Sequence, residues 1–174
     1  MTIFLAAALF LSSPAAAGDT SAALSAQAAD ILKIAFAKQV TGDALGAAGT
    51  GEKAAWLAPN DPVIRTASAY LRFMAAQTKL ALEEARLAEA LLKKPTVELQ
   101  LIYAMAYCGL GDPKRGLAAL RRASRLDKRL RRLEELYKTA PPIEFSYAIM
   151  AEATARVNPA YSPVLAKRFG RSAP

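Results

Sequence analysis

The sequence contains no histidine, and Cys108 is its only cysteine. Without histidine the chain lacks the commonest general base and the commonest metal ligand. A single cysteine cannot form a disulfide within the chain, and one cysteine without histidine excludes the usual zinc sites. We therefore expect neither an enzyme nor a cofactor or metal site. Cys108 has no histidine to activate it, so we expect it to be a small packed residue in a helix.

Signals for β-strands are also missing. No segment alternates apolar and polar residues as a half-buried strand would, and β-branched residues are sparse. Apolar residues make up 53% of the chain and charged residues 22%, which is typical of a folded helical protein and not of a disordered one. The 174 residues are enough for one domain with its own core. These features predict an all-α fold with no β-sheet.

Only the start of the chain carries an extended apolar run, from residue 3 to residue 11. Ser12, Ser13 and Pro14 end the run, and three alanines follow at 15–17. This is the pattern of a secretory signal peptide, although no Lys or Arg precedes the run. The run is too short to span a membrane, which needs about 20 residues. We predict a signal peptide at 1–17, cleaved near Ala17, and export to a bacterial periplasm; the alternative is a buried first helix of a cytosolic protein.

The rest of the chain predicts short helices that form antiparallel pairs. Asp112 and Pro113 are a good N-cap and first helical residue, and they give the best-defined boundary. The glycine-rich stretch 42–53 is predicted to include a loop, followed by a short helical turn at 54–58. The tail, 159–174, is expected to be irregular. The helices are predicted at 21–40, 62–77, 79–93, 96–110, 113–126, 128–139 and 143–156.

Residues 97–128 carry a pattern of large and small residues on two consecutive helices, and this pattern resembles a tetratricopeptide repeat. The residues that match the family pattern are Tyr103, Ala104, Tyr107, Gly111, Gly116, Leu120 and Ala123. The proline that usually ends the repeat is missing, since Lys128 follows Leu126 and Asp127. Small side chains at such positions let two helices approach closely, while the large ones fill the space between them.

A second repeat is predicted at 62–95, because Pro59 and Pro95 are 36 residues apart and the family period is about 34 residues. Glu83 falls where the family has a small residue, which leaves the register of this repeat open. Residues 128–156 would form a third, degenerate pair. The resemblance implies an antiparallel helix-pair solenoid over 18–158; the alternative is a generic helical bundle.

In the tetratricopeptide family, the first helix of each repeat lines a concave groove that accepts a peptide or a partner helix. If this chain is built in the same way, seven residues would face that groove, and ordinary exposed surface is the alternative. These residues are Arg65, Ser68, Arg72, Glu98, Leu101, Ile102 and Met105. The resemblance therefore implies a non-catalytic adaptor of the cell envelope that binds a protein or peptide. A permanent structural subunit is the second interpretation, an enzyme the third, and the oligomeric state stays open.

The chain carries a formal net charge of +8, and its basic residues cluster between 114 and 132. Leucines at helical spacing among them predict two amphipathic helices with basic outer faces. The basic surface comprises Arg121, Arg122, Arg125, Arg129 and Arg132. It is interpreted either as a solvated face or as a contact for an acidic protein or an anionic membrane surface. Nucleic acid is disfavoured because no aromatic residues interleave with the charges.

Overall fold

The computed structural model describes residues 14–140 and 142–158 of the chain. Over this part the chain is helical and has no strand, which confirms the all-α prediction. The helices are α1 (Pro14–Val40), α2 (Ala44–Leu57), α3 (Pro62–Met74), α4 (Thr78–Leu91), α5 (Val97–Gly109), α6 (Pro113–Leu126), α7 (Arg131–Thr139) and α8 (Pro142–Val157), with a 3₁₀ turn at Lys128–Leu130 before α7. Residues 1–13 of the predicted signal peptide and the tail at 159–174 lie outside the described residues, while 14–17 belong to α1.

Local capping explains why most helices begin where the sequence predicts. Asp61 accepts hydrogen bonds from the backbone N–H groups of Val63 and Ile64, and Pro62 is the first residue of α3. Asp112 caps α6 in the same way. Such caps satisfy N–H groups that have no partner within the helix. Helices α3 and α6 therefore begin at the predicted residues, Pro62 and Pro113.

The loop predicted within 42–53 is confined to the turn that ends before Ala44, because α2 occupies the rest of this stretch. Asp43 caps the helix by accepting a hydrogen bond from the N–H of Gly46. Gly51 serves close packing between helices, because a Cβ at this position would lie 2.8 Å from the Leu71 side chain on α3. The burial gained against neighbouring helices thus outweighs the weak helix propensity of glycine, which costs about 1 kcal/mol per residue relative to alanine.

Helices α1 to α6 form three hairpins whose turns repeat the same conformation. Gly42, Ala76 and Gly111 have positive φ angles of 89°, 59° and 76° and stand 34 and 35 residues apart. In each turn, the residue that follows the left-handed one donates its backbone N–H to the carbonyl oxygen of the residue five positions before it. This hydrogen bond is typical of helices that end in a left-handed residue. These bonds join Asp43 to Lys38, Gln77 to Arg72 and Asp112 to Tyr107.

Buried residues on the paired helices recur at the same spacing of 34 and 35 residues. Buried small residues recur at 47, 81 and 116, and again at 54, 88 and 123. A buried larger residue recurs on the first helix of each hairpin, as Phe36, Tyr70 and Met105. Buried small residues therefore stand at equivalent positions of all three hairpins, and small side chains let packed helices approach closely.

Helix α8 departs from this regularity, because it packs against α5 and not mainly against its predecessor α7. The hydroxyl of Tyr70 on α3 bonds that of Thr154 on α8 at 2.9 Å. The Asn158 side chain, directly after α8, reaches Gln39 of α1 at 3.5 Å. Helix α8 therefore covers α5, and its C-terminal end reaches α3 and α1.

Candidate protein-binding surfaces

The three residues of α3 predicted to line a groove face other helices. Arg65 forms an ion pair with Glu84 of α4 at 2.7 Å, and Arg72 forms one with Glu52 of α2 at 2.9 Å. Ser68 is fully buried, and its Cα lies close to Gly51 of α2. Arg65, Ser68 and Arg72 therefore connect neighbouring helices and do not line an open surface.

A register shift explains this correction. The 35-residue spacing places Ala81 at the position equivalent to Gly116, so Glu83 does not belong at the small position. The α3 equivalents of the residues predicted to line the groove on α5 are therefore Val63, Thr66, Ala67 and Tyr70. Tyr70 does contact α8, whereas the predicted residues lie two positions away from this row.

The predicted groove residues of α5 are also covered. Leu101, Ile102 and Met105 are at most 2% exposed, and Glu98 is half-buried. The apolar side of α8, which includes Phe145, is buried as well. In this structure the side chains that the resemblance assigns to a partner thus contribute to the core of the chain itself.

The residues that carry the repeat pattern meet where α5 crosses α6. Tyr103 is 5% exposed and donates a hydrogen bond to Glu89 at 2.9 Å. Burial, followed by the Glu89 carboxylate, raises the pKa of the Tyr103 phenol well above its usual range. Tyr107 stacks on Tyr103 with ring centroids 6.2 Å apart. Ala104, Leu120 and Ala123 are fully buried at the same crossing.

Cys108 lies beside Gly116 at this crossing, and it is half-buried. Burial raises the pKa of the Cys108 thiol, although a hydrogen bond to Ser146 of α8 acts in the opposite direction. A raised pKa leaves less of the thiolate, which is the nucleophilic form. The surroundings of Cys108 are therefore those of a packed residue.

A basic corner, which we define as residues 121–132, is formed by the end of α6, the 3₁₀ turn and the start of α7. It contains seven Lys or Arg residues and one acidic residue, Asp127. Arg129 and Arg132 are 82% and 74% exposed in their side chains and pair with Asp127 and Glu152. Arg121 lies 3.6 Å from Glu134. The remaining basic residues of the corner have no ion pair in the described part of the chain and are exposed: Arg122, Arg125, Lys128 and Arg131.

The carboxylates that pair with the basic corner are less exposed than its arginines. The side chains of Asp127, Glu134 and Glu152 are 13%, 25% and 18% exposed, whereas those of their partners in the corner, Arg129, Arg121 and Arg132, are 82%, 58% and 74% exposed. Asp127 accepts hydrogen bonds from Arg129 and from Arg156 of α8. These bonds, led by that from Arg129, hold the pKa of Asp127 well below its usual range. The solvent-facing side of the corner is therefore strongly positive.

Exposed apolar side chains on the first hairpin are a feature that the sequence analysis missed. Trp56 is 79% exposed, and Leu45, also on α2, is 68% exposed. Ile34 and Val40 of α1 are 56% and 68% exposed. Trp56 is the only tryptophan of the chain, and its place in a stretch interpreted as a loop and a short turn concealed that it lies on the outer side of a helix.

Comparisons with protein-family models, with curated proteins and with solved structures each return no match. In the described residues, no group of three or more Cys, Asp or Glu is placed to hold a metal ion. None of the described helices is long and apolar enough to cross a membrane.

Proposed function

We propose that this chain is a non-catalytic adaptor of the tetratricopeptide kind, which binds a partner protein in the cell envelope. The observation that carries the proposal is the repetition of one hairpin turn at Gly42, Ala76 and Gly111, at spacings of 34 and 35 residues. The family period is about 34 residues. Hairpins that bury equivalent faces against one another build an extended scaffold, and such scaffolds offer broad surfaces to partners.

The inner face of this scaffold belongs to the chain's own α8. Because α8 covers α5 and reaches Tyr70, a partner has access to the outer helices and not to Leu101, Ile102 or Met105. The envelope location follows from the predicted signal peptide, and a periplasmic partner is the natural consequence. The adaptor would hold its partner from outside, with α8 stabilising the scaffold from within.

Photo-crosslinking in the host tests this proposal. A photoreactive amino acid placed at Leu126, Leu87 or Trp56 samples three exposed sites on α6, α4 and α2. We expect one partner protein to be crosslinked from some of these positions and not from others, because a specific interface covers only part of a surface. Recovery of no crosslinked protein from any position would contradict the adaptor function.

A permanent structural subunit is a second candidate, and the 79% exposure of Trp56 favours it. Exposed apolar patches often mark interfaces with other proteins. Size-exclusion chromatography with light scattering separates the two candidates: a binding module is a soluble monomer, whereas a subunit made alone self-associates. Replacing Trp56 with Gln should abolish the self-association if this side chain causes it.

A further inference from the structure

We infer that the basic corner, residues 121–132, is the docking surface for a protein partner that presents clustered Asp and Glu side chains. This inference rests on the proposed function and names the chemistry of the partner. The corner joins seven cations within 12 consecutive residues. Proximity along the chain brings these charges together, because a 14-residue helix, a 3₁₀ turn and a nine-residue helix follow one another directly.

The internal carboxylates do not neutralise this surface. Asp127 is shared between Arg129 and Arg156, and Glu152 between Arg132 and Arg156. Glu134 bonds the hydroxyl of Ser124. Each of these carboxylates is therefore already bonded to side chains of the chain itself. The four cations of the corner without an ion pair, which include Arg122, remain available to an external anion.

The start of α7 strengthens the positive field. Leu130, at the N-cap position, gives α7 no side-chain cap. The N-terminus of a helix is its positive end, where acidic groups are stabilising and basic groups are not. Arg131 and Arg132 stand there, and the one acidic residue of the first turn, Glu134, is bonded to Ser124, so the positive helix end adds to the attraction for an external carboxylate.

The composition of the corner favours a protein over a membrane. Six of its seven cations are arginines, whose planar guanidinium binds carboxylates through two parallel hydrogen bonds. Arg129 already binds Asp127 in this way, with Nε and Nη2 within 3.0 Å of the two carboxylate oxygens. Leu120, Leu130 and Leu133 are buried, and Leu126 is the exposed leucine of the corner, at 47%; a single exposed leucine is not a wide apolar face that could insert into a bilayer.

Binding of two probes to the whole chain tests this inference. One probe is a fluorescein-labelled 20-residue glutamate-rich peptide, followed by anisotropy at low and at high salt. The other is a phosphatidylcholine vesicle containing phosphatidylglycerol, followed by co-sedimentation. The corner variant is Arg122→Glu, Arg125→Glu, Arg131→Glu. A matched control, Lys79→Glu, Lys93→Glu, Lys94→Glu, changes the net charge equally at exposed lysines away from the corner, which have no ion pair in the described part of the chain.

We expect the corner variant to bind the peptide about tenfold or more weakly, since several exposed ion pairs are lost and repulsion replaces them. The control should lose less than about threefold, because distant charges are screened. An equal loss of peptide affinity in both variants would mean that only the net charge matters, and it would overturn the inference. Binding to vesicles without binding to the peptide would also overturn it.

The crosslinking experiment in the host separates this inference from the proposed function. If the partner crosslinked to the wild-type chain is lost in the corner variant and kept in the control, the inference is supported. If both variants keep the partner, the adaptor function stands and the corner is not its site. Unchanged helical circular dichroism in both variants ensures that loss of binding is not loss of folding.

Discussion

Replacing Gly116 with alanine tests how closely α5 and α6 approach. A Cβ at this position would lie 2.5 Å from the Cys108 sulfur and 3.1 Å from the carbonyl oxygen of Ala104. Overpacking of this kind costs about 1–3 kcal/mol, whereas alanine improves helix propensity over glycine by about 1 kcal/mol. The free energy of unfolding should therefore fall by about 1 kcal/mol, and the melting temperature by about 2–4 °C for a chain of this size.

The sulfur of Cys108 should account for most of this loss. The equivalent positions in the other hairpins, Ala47 and Ala81, are fully buried alanines, so the crossing itself accepts a Cβ. In a double-mutant cycle, Cys108→Ala should relieve the overpacking and give a favourable coupling energy of about 1 kcal/mol or more with Gly116→Ala. Gly49→Ala is the matched control: nothing lies within 4 Å of its Cβ position, so it should stabilise α2 by about 1 kcal/mol.

Urea unfolding followed by circular dichroism is the appropriate assay. Tryptophan fluorescence is a poor reporter, because Trp56 is already 79% exposed in the folded chain. Should Gly116→Ala stabilise the chain as much as Gly49→Ala does, the two helices do not cross closely at this position. The interpretation of the small residues as contact positions would then fail in all three hairpins.

Three further substitutions probe the turns and the ionisable groups. Ala76→Gly should raise the free energy of unfolding by about 0.5–1 kcal/mol, because alanine pays a steric cost at a φ of 59° that glycine does not; a loss of stability on thermal melting would refute this. The raised pKa of Tyr103 adds stability that is fully present below about pH 10 and is lost as the pH rises toward the pKa of the folded state. In urea titrations between about pH 9 and 11, Tyr103→Phe should therefore lose stability less steeply than the wild type. The lowered pKa of Asp127 adds stability above about pH 4 that disappears as pH falls. The difference in unfolding free energy between wild type and Asp127→Asn should therefore shrink in acid. A difference that does not depend on pH would exclude the ionic role of this carboxylate.

The sequence predicted the helices best where the signals that start them are local. Asp61 with Pro62, and Asp112 with Pro113, act on neighbouring backbone groups, so they can be recognised without knowing the fold. Helix α2 was missed because its stability comes from packing, as at Gly51 against Leu71. Intrinsic propensity cannot reveal a contact between residues 20 positions apart.

The register of α3 was missed for a related reason. The left-handed turn residue of its hairpin is Ala76, where the neighbouring hairpins have glycine. Alanine gives no turn signal, so nothing in the sequence marks this hairpin turn. The predicted groove residues Arg65, Ser68 and Arg72 stand 33 residues before Glu98, Leu101 and Met105, whereas Ala76 and Gly111 are 35 residues apart, which puts the prediction two positions out of register. The placement of α8 depends on contacts such as Tyr70 with Thr154, which are 84 residues apart, and no local pattern indicates them.

Asp127 connects the basic corner with helix α8. Its carboxylate binds Arg129 on the outside of the basic corner and Arg156 of α8. An acidic partner that draws Arg129 away would leave Asp127 wholly to Arg156, and the ion pair between α6 and α8 would then have no competing cation. The exposure of the two arginines fits this division, since the side chain of Arg129 is 82% exposed and that of Arg156 is 19% exposed. Docking at the corner would therefore tighten the hold on α8, so the outer surface binds without opening the inner one.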